Sequence, residues 1–218
     1  MRRAVPLALI TCFAVLAPAR AVEVDWFANL HLSPGDRTYL NLSVAHFGAH
    51  RDEVEEASHH LHHPERDLPV LLFLASESGR PLSFILDLRL AGASWWEIRA
   101  RLGVHPDRIL VPLSHDPGPP YGKAYGYYRK HPGHRRSAIV VNDSEFADWV
   151  GVRILSKAYG VEPSVVLEAR RSGTSFGVFA TRREKARRKH HDRKDAHHPD
   201  TPSHHGKPKG RGRDKGGR

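Results

Sequence analysis

Two stretches of this chain are one pattern written twice. Residues 79–98 read GRPLSFILDLRLAGASWWEI and residues 160–179 read GVEPSVVLEARRSGTSFGVF, and they align without a gap at an offset of 81. Gly79, Ser83, Leu86, Arg89, Gly92 and Ser94 meet Gly160, Ser164, Leu167, Arg170, Gly173 and Ser175. Ile85 meets Val166, Asp87 meets Glu168, Trp95 meets Phe176, and upstream Asp67 meets Asp148. An internal repeat implies a supersecondary unit used more than once, with its apolar faces buried against neighbouring copies. Glycine identities at fixed places imply a shared backbone path, because glycine passes through left-handed conformations at little cost.

The unit reads as helices joined by tight turns. Val70 to Ala75 is an apolar helical stretch that Gly79 can end, and Pro81 suits the first turn of the next helix. Phe84, Ile85 and Leu88 carry that helix to a stop at Gly92. Ser94 then caps a third helix, and Glu97 completes a Ser-x-x-Glu capping box. Trp95, Ile98 and Leu102 recur at helical spacing and form one apolar face. The second copy keeps Gly160, Gly173 and Ser175, has Pro163 displaced by two, and lacks the box glutamate. A weaker copy near 38–60 brings Leu40, Leu42, Phe47, Gly48 and Val54 into register with Leu71, Phe73, Ser78, Gly79 and Ile85. The expected fold is therefore mainly α: repeated helix-turn-helix pairs forming one small helical domain over residues 22–180, with strong copies near 67–102 and 148–179.

The ends of the chain differ from this domain. Arg2 and Arg3 precede an apolar run from Ala4 to Ala17, and Ala19-Arg20-Ala21 matches a small-x-small cleavage site. The run is shorter than the roughly 20 residues a spanning helix needs. Residues 1–21 thus read as a signal peptide, which implies an exported protein, periplasmic or secreted, that is not membrane-spanning after cleavage. The only cysteine, Cys12, lies inside the signal run, so the mature chain has no disulfide, thiol chemistry or cysteine metal site. The net charge of +10 is unevenly spread. Residues 181–218 hold 14 Lys and Arg against 5 acids, whereas 22–180 hold 17 against 19. The basic character belongs to the C-terminal stretch, which is rich in Lys, Arg, His, Gly and Pro and reads as a disordered tail, although residues up to about Arg193 could extend a helix. Such a tail binds anions with strong salt dependence, which suggests an anionic envelope polymer or lipid as partner. A protein partner is also compatible with a helical platform.

Two clusters are candidates for chemistry. SHDPGPPYGKAYGYYRKHPG, residues 114–133, reads as a long loop, and long loops in compact domains tend to be functional or disordered. In it Tyr121, Gly122, Lys123, Tyr125, Tyr127 and Tyr128 form a candidate binding set that could stack on sugars or bases and hold anions. The alternative is that the tyrosines pin the loop to the helices. Gly122-Lys123 lacks the glycine spacing and the Ser or Thr of a phosphate loop, since Ala124 follows. His59, His60, His62 and His63 are candidate metal ligands, with His59 and His63 at the i, i+4 spacing of zinc sites if one helix carries both. No dedicated cofactor is implied, and weak Zn, Cu or Ni binding is all that the histidine pairs predict.

Residues 94–104, SWWEIRARLGV, are similar to the first helix and turn of a DNA-binding helix-turn-helix. Arg99 stands where close packing wants a small residue, and Pro112 cuts the would-be recognition helix short, so no specific DNA recognition is expected. Enzyme signatures are absent: there is no His-Glu-x-x-His, Gly-x-Ser-x-Gly or dinucleotide fingerprint. The GPPYGKAYGYY stretch, with the GxxxSVVLExR repeat that follows, resembles a group of exported bacterial proteins of uncharacterised function over roughly residues 38–180. The resemblance implies export and carries no activity, cofactor or catalytic residue. The sequence thus favours an exported, non-enzymatic binding or scaffolding protein. The alternatives are a metal-handling protein, then a nucleic-acid binder or an enzyme acting on envelope polymers.

Overall fold

The computed structural model describes Phe27, residues 29–131 and residues 141–195, with side chains to His190. Residues 1–21, read from the sequence as a signal peptide, and residues 196–218, read as part of a tail, lie outside the described residues. Among those described the regular structure is helical: α1 (Pro34–Phe47), α2 (Arg51–His60), α3 (Pro64–Ser78), α4 (Leu82–Leu90), α5 (Trp95–Arg101), α6 (Gly122–Lys130), α7 (Asp143–Tyr159), α8 (Pro163–Arg171) and α9 (Phe176–Asp195).

The repeat is built as its glycines imply. Gly79 closes α3 at φ 67° and Gly160 closes α7 at φ 61°. In both cases the chain turns through a glycine two residues after the second helix, Gly92 at 88° and Gly173 at 87°. The bonds across that turn are also duplicated: Ala93 N donates to Leu88 O, and Thr174 N donates to Ala169 O. The weaker copy is the pair α1–α2, with Gly48 at φ 62° in the place of Gly79. Val54, Ile85 and Val166 hold the same register position on α2, α4 and α8, and all are buried. So are Leu40, Leu71 and Val152 on α1, α3 and α7. Helices α1, α3 and α7 form the centre, with α3 packed between α1 and α7, while α9 lies along α1. Backbones at the α1–α9 crossing come close enough that a Cβ on Gly177 would sit 2.5 Å from the carbonyl carbon of Gly35.

The third helix of each unit starts at a serine. Ser94 Oγ accepts from Glu97 N, and the Glu97 carboxylate accepts from Ser94 N, closing the capping box. Ser175 Oγ accepts from Val178 N with no glutamate to answer it. Trp95 and Ile98 are fully buried and Leu102 packs against the core, as their spacing requires. Pro81 takes the cap position before α4 rather than its first turn.

Three expectations need correction. Residues 114–133 are not one loop, because Gly122 to Lys130 are helical as α6. Residues 181–195, the first part of the stretch read as a disordered tail, are helical as the end of α9. Also, α2 ends at His60, Leu61 is extended, and His63 caps α3, so His59 and His63 do not share a helix face.

Candidate anion-binding surface

The helix α6 follows from a stripe of side chains at helical spacing. Tyr121, Ala124 and Tyr125 are buried, and Tyr128, one turn further, stacks on Tyr125 at 6.0 Å. Tyr125 stacks in turn on Trp149 of α7, with ring centroids 6.0 Å apart and planes 21° from parallel. Its hydroxyl accepts from Leu113 N at 2.7 Å and donates to Leu113 O at 3.0 Å, which fixes the start of the preceding segment. Tyr121 donates to Asp148 Oδ2 at 2.6 Å, and Arg170 Nε donates to Asp148 Oδ1 at 2.8 Å. Burial first, and then the bond to Asp148, raise the Tyr121 pKa, so this phenol stays a donor. Arg171 Nη1 donates to Pro117 O at 2.6 Å and holds the incoming loop.

The two copies of the repeat use their matched arginines differently. Arg170 lies over the Phe176 ring at 5.2 Å and Arg89 over the Trp95 ring at 4.3 Å, which are the same contact in register. Yet Arg170 takes Asp148 of its own copy, whereas Arg89 bonds Asp143 at the start of α7. Asp143 also accepts from Trp95 N at 2.8 Å, so one carboxylate ties the first copy's third helix to α7. Asp67, the counterpart of Asp148, pairs instead with its neighbour Arg66. Asp148 and Arg170 border a cavity of about 180 Å³ with Tyr39 and Phe176. Both Asp148 oxygens are committed to Tyr121 and Arg170, so this carboxylate is a structural anchor rather than a free base.

The other flank of α6 faces outward. Asp116, Gly122, Lys123, Gly126, Tyr127, Arg129, Lys130 and His131 line a cleft of about 620 Å³. Lys123, Arg129 and Lys130 are exposed, and Tyr127 is half-buried with its ring stacked on His131 at 3.8 Å. The candidate set from the sequence is thereby divided. Gly122, Lys123 and Tyr127 reach the cleft, whereas Tyr121, Tyr125 and Tyr128 belong to the packed face. Arg129, Lys130 and His131 complete the surface and were not in the expected set. The spacing 121, 124, 125, 128 is the signal that would have assigned the faces.

The histidines lie between α2 and α3. His59, His60, His62 and His63 are exposed. His60, His62 and His63 share a cleft of about 660 Å³ with Arg66, Asp67 and Arg89, and His59 lines an adjoining one with His31 and Glu65. Among the described residues no three His, Cys, Asp or Glu side chains converge as a metal site. His63 Nδ1 lies 3.4 Å from Glu65 Oε1.

Beyond the core, α9 becomes a cationic rod. Ala180 is its last buried residue among those with described side chains, and Arg182, Lys185, Arg187, Arg188 and Lys189 are exposed. The similarity to a helix-turn-helix stops at α5: after it the chain makes only a three-residue 3-10 turn, Pro106–Arg108. Arg99 sits where that motif wants a small side chain. It is buried over the Trp96 ring at 4.0 Å and donates to Val104 O at 3.1 Å.

No helix among the described residues is long and apolar enough to cross a membrane. Comparison with protein-family models, with curated proteins and with solved structures finds no match.

Proposed function

We propose that the chain is an exported, non-enzymatic envelope protein: the helical repeats form a platform, and the basic C-terminal stretch tethers it to an anionic envelope polymer or lipid. The observation that carries this is the charge of α9 where it leaves the core. From Arg182 to Lys189 there are six Lys and Arg and one acid, Glu184, and the stretch after it adds eight more cations against four acids. Cations three or four apart on a helix, such as Arg183 with Arg187 and Lys185 with Lys189, repel by a few tenths of a kcal/mol per pair. The one acid does little to relieve this, since its contact with Arg187 is 3.9 Å long and it also bonds Tyr159. A helix that is polar all round has no core to stabilise it, and a polyanion would supply the missing favourable term. Two measurements test the proposal. Export predicts a mature N-terminus at Val22 by mass spectrometry, and a cellular pool that retains Met1 contradicts it. Tethering predicts binding to polyphosphate or to phosphatidylglycerol vesicles, which also separates polymer from lipid; binding to neither contradicts it.

A second reading, metal handling, is favoured by the shared cleft of His60, His62 and His63. Metal analysis of protein purified without an affinity tag decides it: stoichiometric Zn, Cu or Ni supports the reading, and none removes it.

A further inference from the structure

Gly126 is a residue that the fold does not explain. It lies mid-helix in α6, and its φ is not among the left-handed ones that need glycine. A Cβ built on it meets nothing within 4 Å, so no neighbouring backbone demands the missing side chain. Elsewhere the close-packed glycines do have reasons: at Gly151 a Cβ would fall 2.2 Å from the Phe176 ring, and at Gly122 one would press on Asp116. Glycine inside a helix is destabilising relative to alanine, and α6 has only nine residues over which to recover that loss. What Gly126 does is leave bare backbone at the centre of a cleft, with Lys123 one turn before it and Lys130 one turn after. At the helical rise, Lys123 and Lys130 are about 10 Å apart along the axis and on one face. Tyr127 stands between them with one ring face stacked on His131 at 3.8 Å, which leaves its other face and edge for the apolar face of a sugar.

We propose that this flank of α6 binds a strand of acidic polysaccharide: its acid groups pair with Lys123 and Lys130, and one sugar ring lies against Gly126 beside Tyr127. The inference deepens the anion-tether reading by naming the polymer class, and it rests on that reading for its setting. The division of labour is physical. The α9 cations act by charge alone and accept any polyanion, whereas a bare-backbone groove with an aromatic side wall selects for a ring that can enter it.

The test uses the full mature chain and two probes, polygalacturonate as an acidic sugar chain and polyphosphate as a polyanion without rings. Gly126→Gln puts a good helix former into the groove at a position where a Cβ meets nothing within 4 Å. The expected result is a melting temperature equal to or above the parent's, a loss of at least tenfold in polygalacturonate affinity, and unchanged polyphosphate affinity. Lys123→Ala with Lys130→Ala is expected to weaken polygalacturonate at least fivefold and polyphosphate much less. Parent-like polygalacturonate binding by Gly126→Gln overturns the proposal, as does an equal loss for both probes. Failure of the parent to bind polyphosphate, with polygalacturonate binding still sensitive to Gly126→Gln, removes the α9 tether and leaves the α6 site standing.

Discussion

Tyr125→Ala separates a structural α6 from a mobile binding loop. The ring is 2 % exposed, stacks on Trp149, and spends its hydroxyl on both polar groups of Leu113. Truncating a large buried aromatic to alanine costs about 3–5 kcal/mol through lost transfer energy and the cavity left behind. The Leu113 amide and carbonyl also lose their partner, which costs about 1–2 kcal/mol where water cannot replace it. In a domain of this size each kcal/mol moves the melting temperature by about 2–4 °C. Thermal unfolding followed by far-UV circular dichroism should therefore fall by about 10 °C or more for Tyr125→Ala. Tyr125→Phe keeps the stacking and loses only the hydroxyl, so it should fall by a few degrees. A Tyr125→Ala protein melting within about 2 °C of the parent would refute the packing described for α6, and with it the assignment of the opposite flank to ligand.

Three further outcomes follow from individual contacts. Gly151→Ala should destabilise by about 1–3 kcal/mol or more, because its Cβ would overlap the Phe176 ring and force α7 and α9 apart; a chemical denaturation midpoint equal to the parent's would contradict this. Asp148→Asn should cost about 2 kcal/mol, reduced from the value for a fully buried pair because the Arg170 side chain is 34 % exposed; a neutral result by the same measurement would mean that Tyr121 and Arg170 find other partners. His46 titrates below its ordinary 6.5, through burial first and then the neighbouring charges of Lys157 and Arg153. The unfolded chain then binds this proton more readily than the folded one, so its contribution is complete above pH 6.5 and is lost as pH falls below it. His46→Gln should flatten the decline in stability between about pH 6.5 and 5, and an unchanged slope would contradict the assignment.

How much of this was legible beforehand differs between fold and site. Gly48, Gly79 and Gly160 marked helix ends because a left-handed residue there leaves few alternatives, and each does end a helix. Ser94 and Glu97 marked a helix start for the same reason: two side chains and two amides must match at once. By contrast, α6 was hidden by its composition. Two glycines and a proline-rich approach outweighed the Tyr121, Ala124, Tyr125 and Tyr128 stripe, whose value lies in Trp149, far along the chain. Local propensity said loop and a tertiary contact said helix, and the tertiary contact prevailed. The His59–His63 pairing failed on a smaller point, since Leu61 leaves the helix and Pro64 opens the next. The exchange of partners by Arg89 and Arg170 is invisible in the alignment of the two copies. Equivalent arginines met different neighbours once α7 was placed between them.

The central claim is that the cations at the end of α9 hold an anionic partner, and its most direct test is the salt dependence of binding. Polyphosphate affinity should be measured across a range of salt for the chain from Val22 onward and for a variant carrying Arg182→Gln, Lys185→Gln, Arg187→Gln and Lys189→Gln. Each cation that neutralises a phosphate contributes about 0.7–0.9 to the slope of log affinity against log salt. The tether therefore predicts a steep slope for the parent and one shallower by about 3 for the variant, with no change in melting temperature. Equal slopes for the two proteins would show that the α9 cations do not contact the polyanion, and would contradict the proposed function.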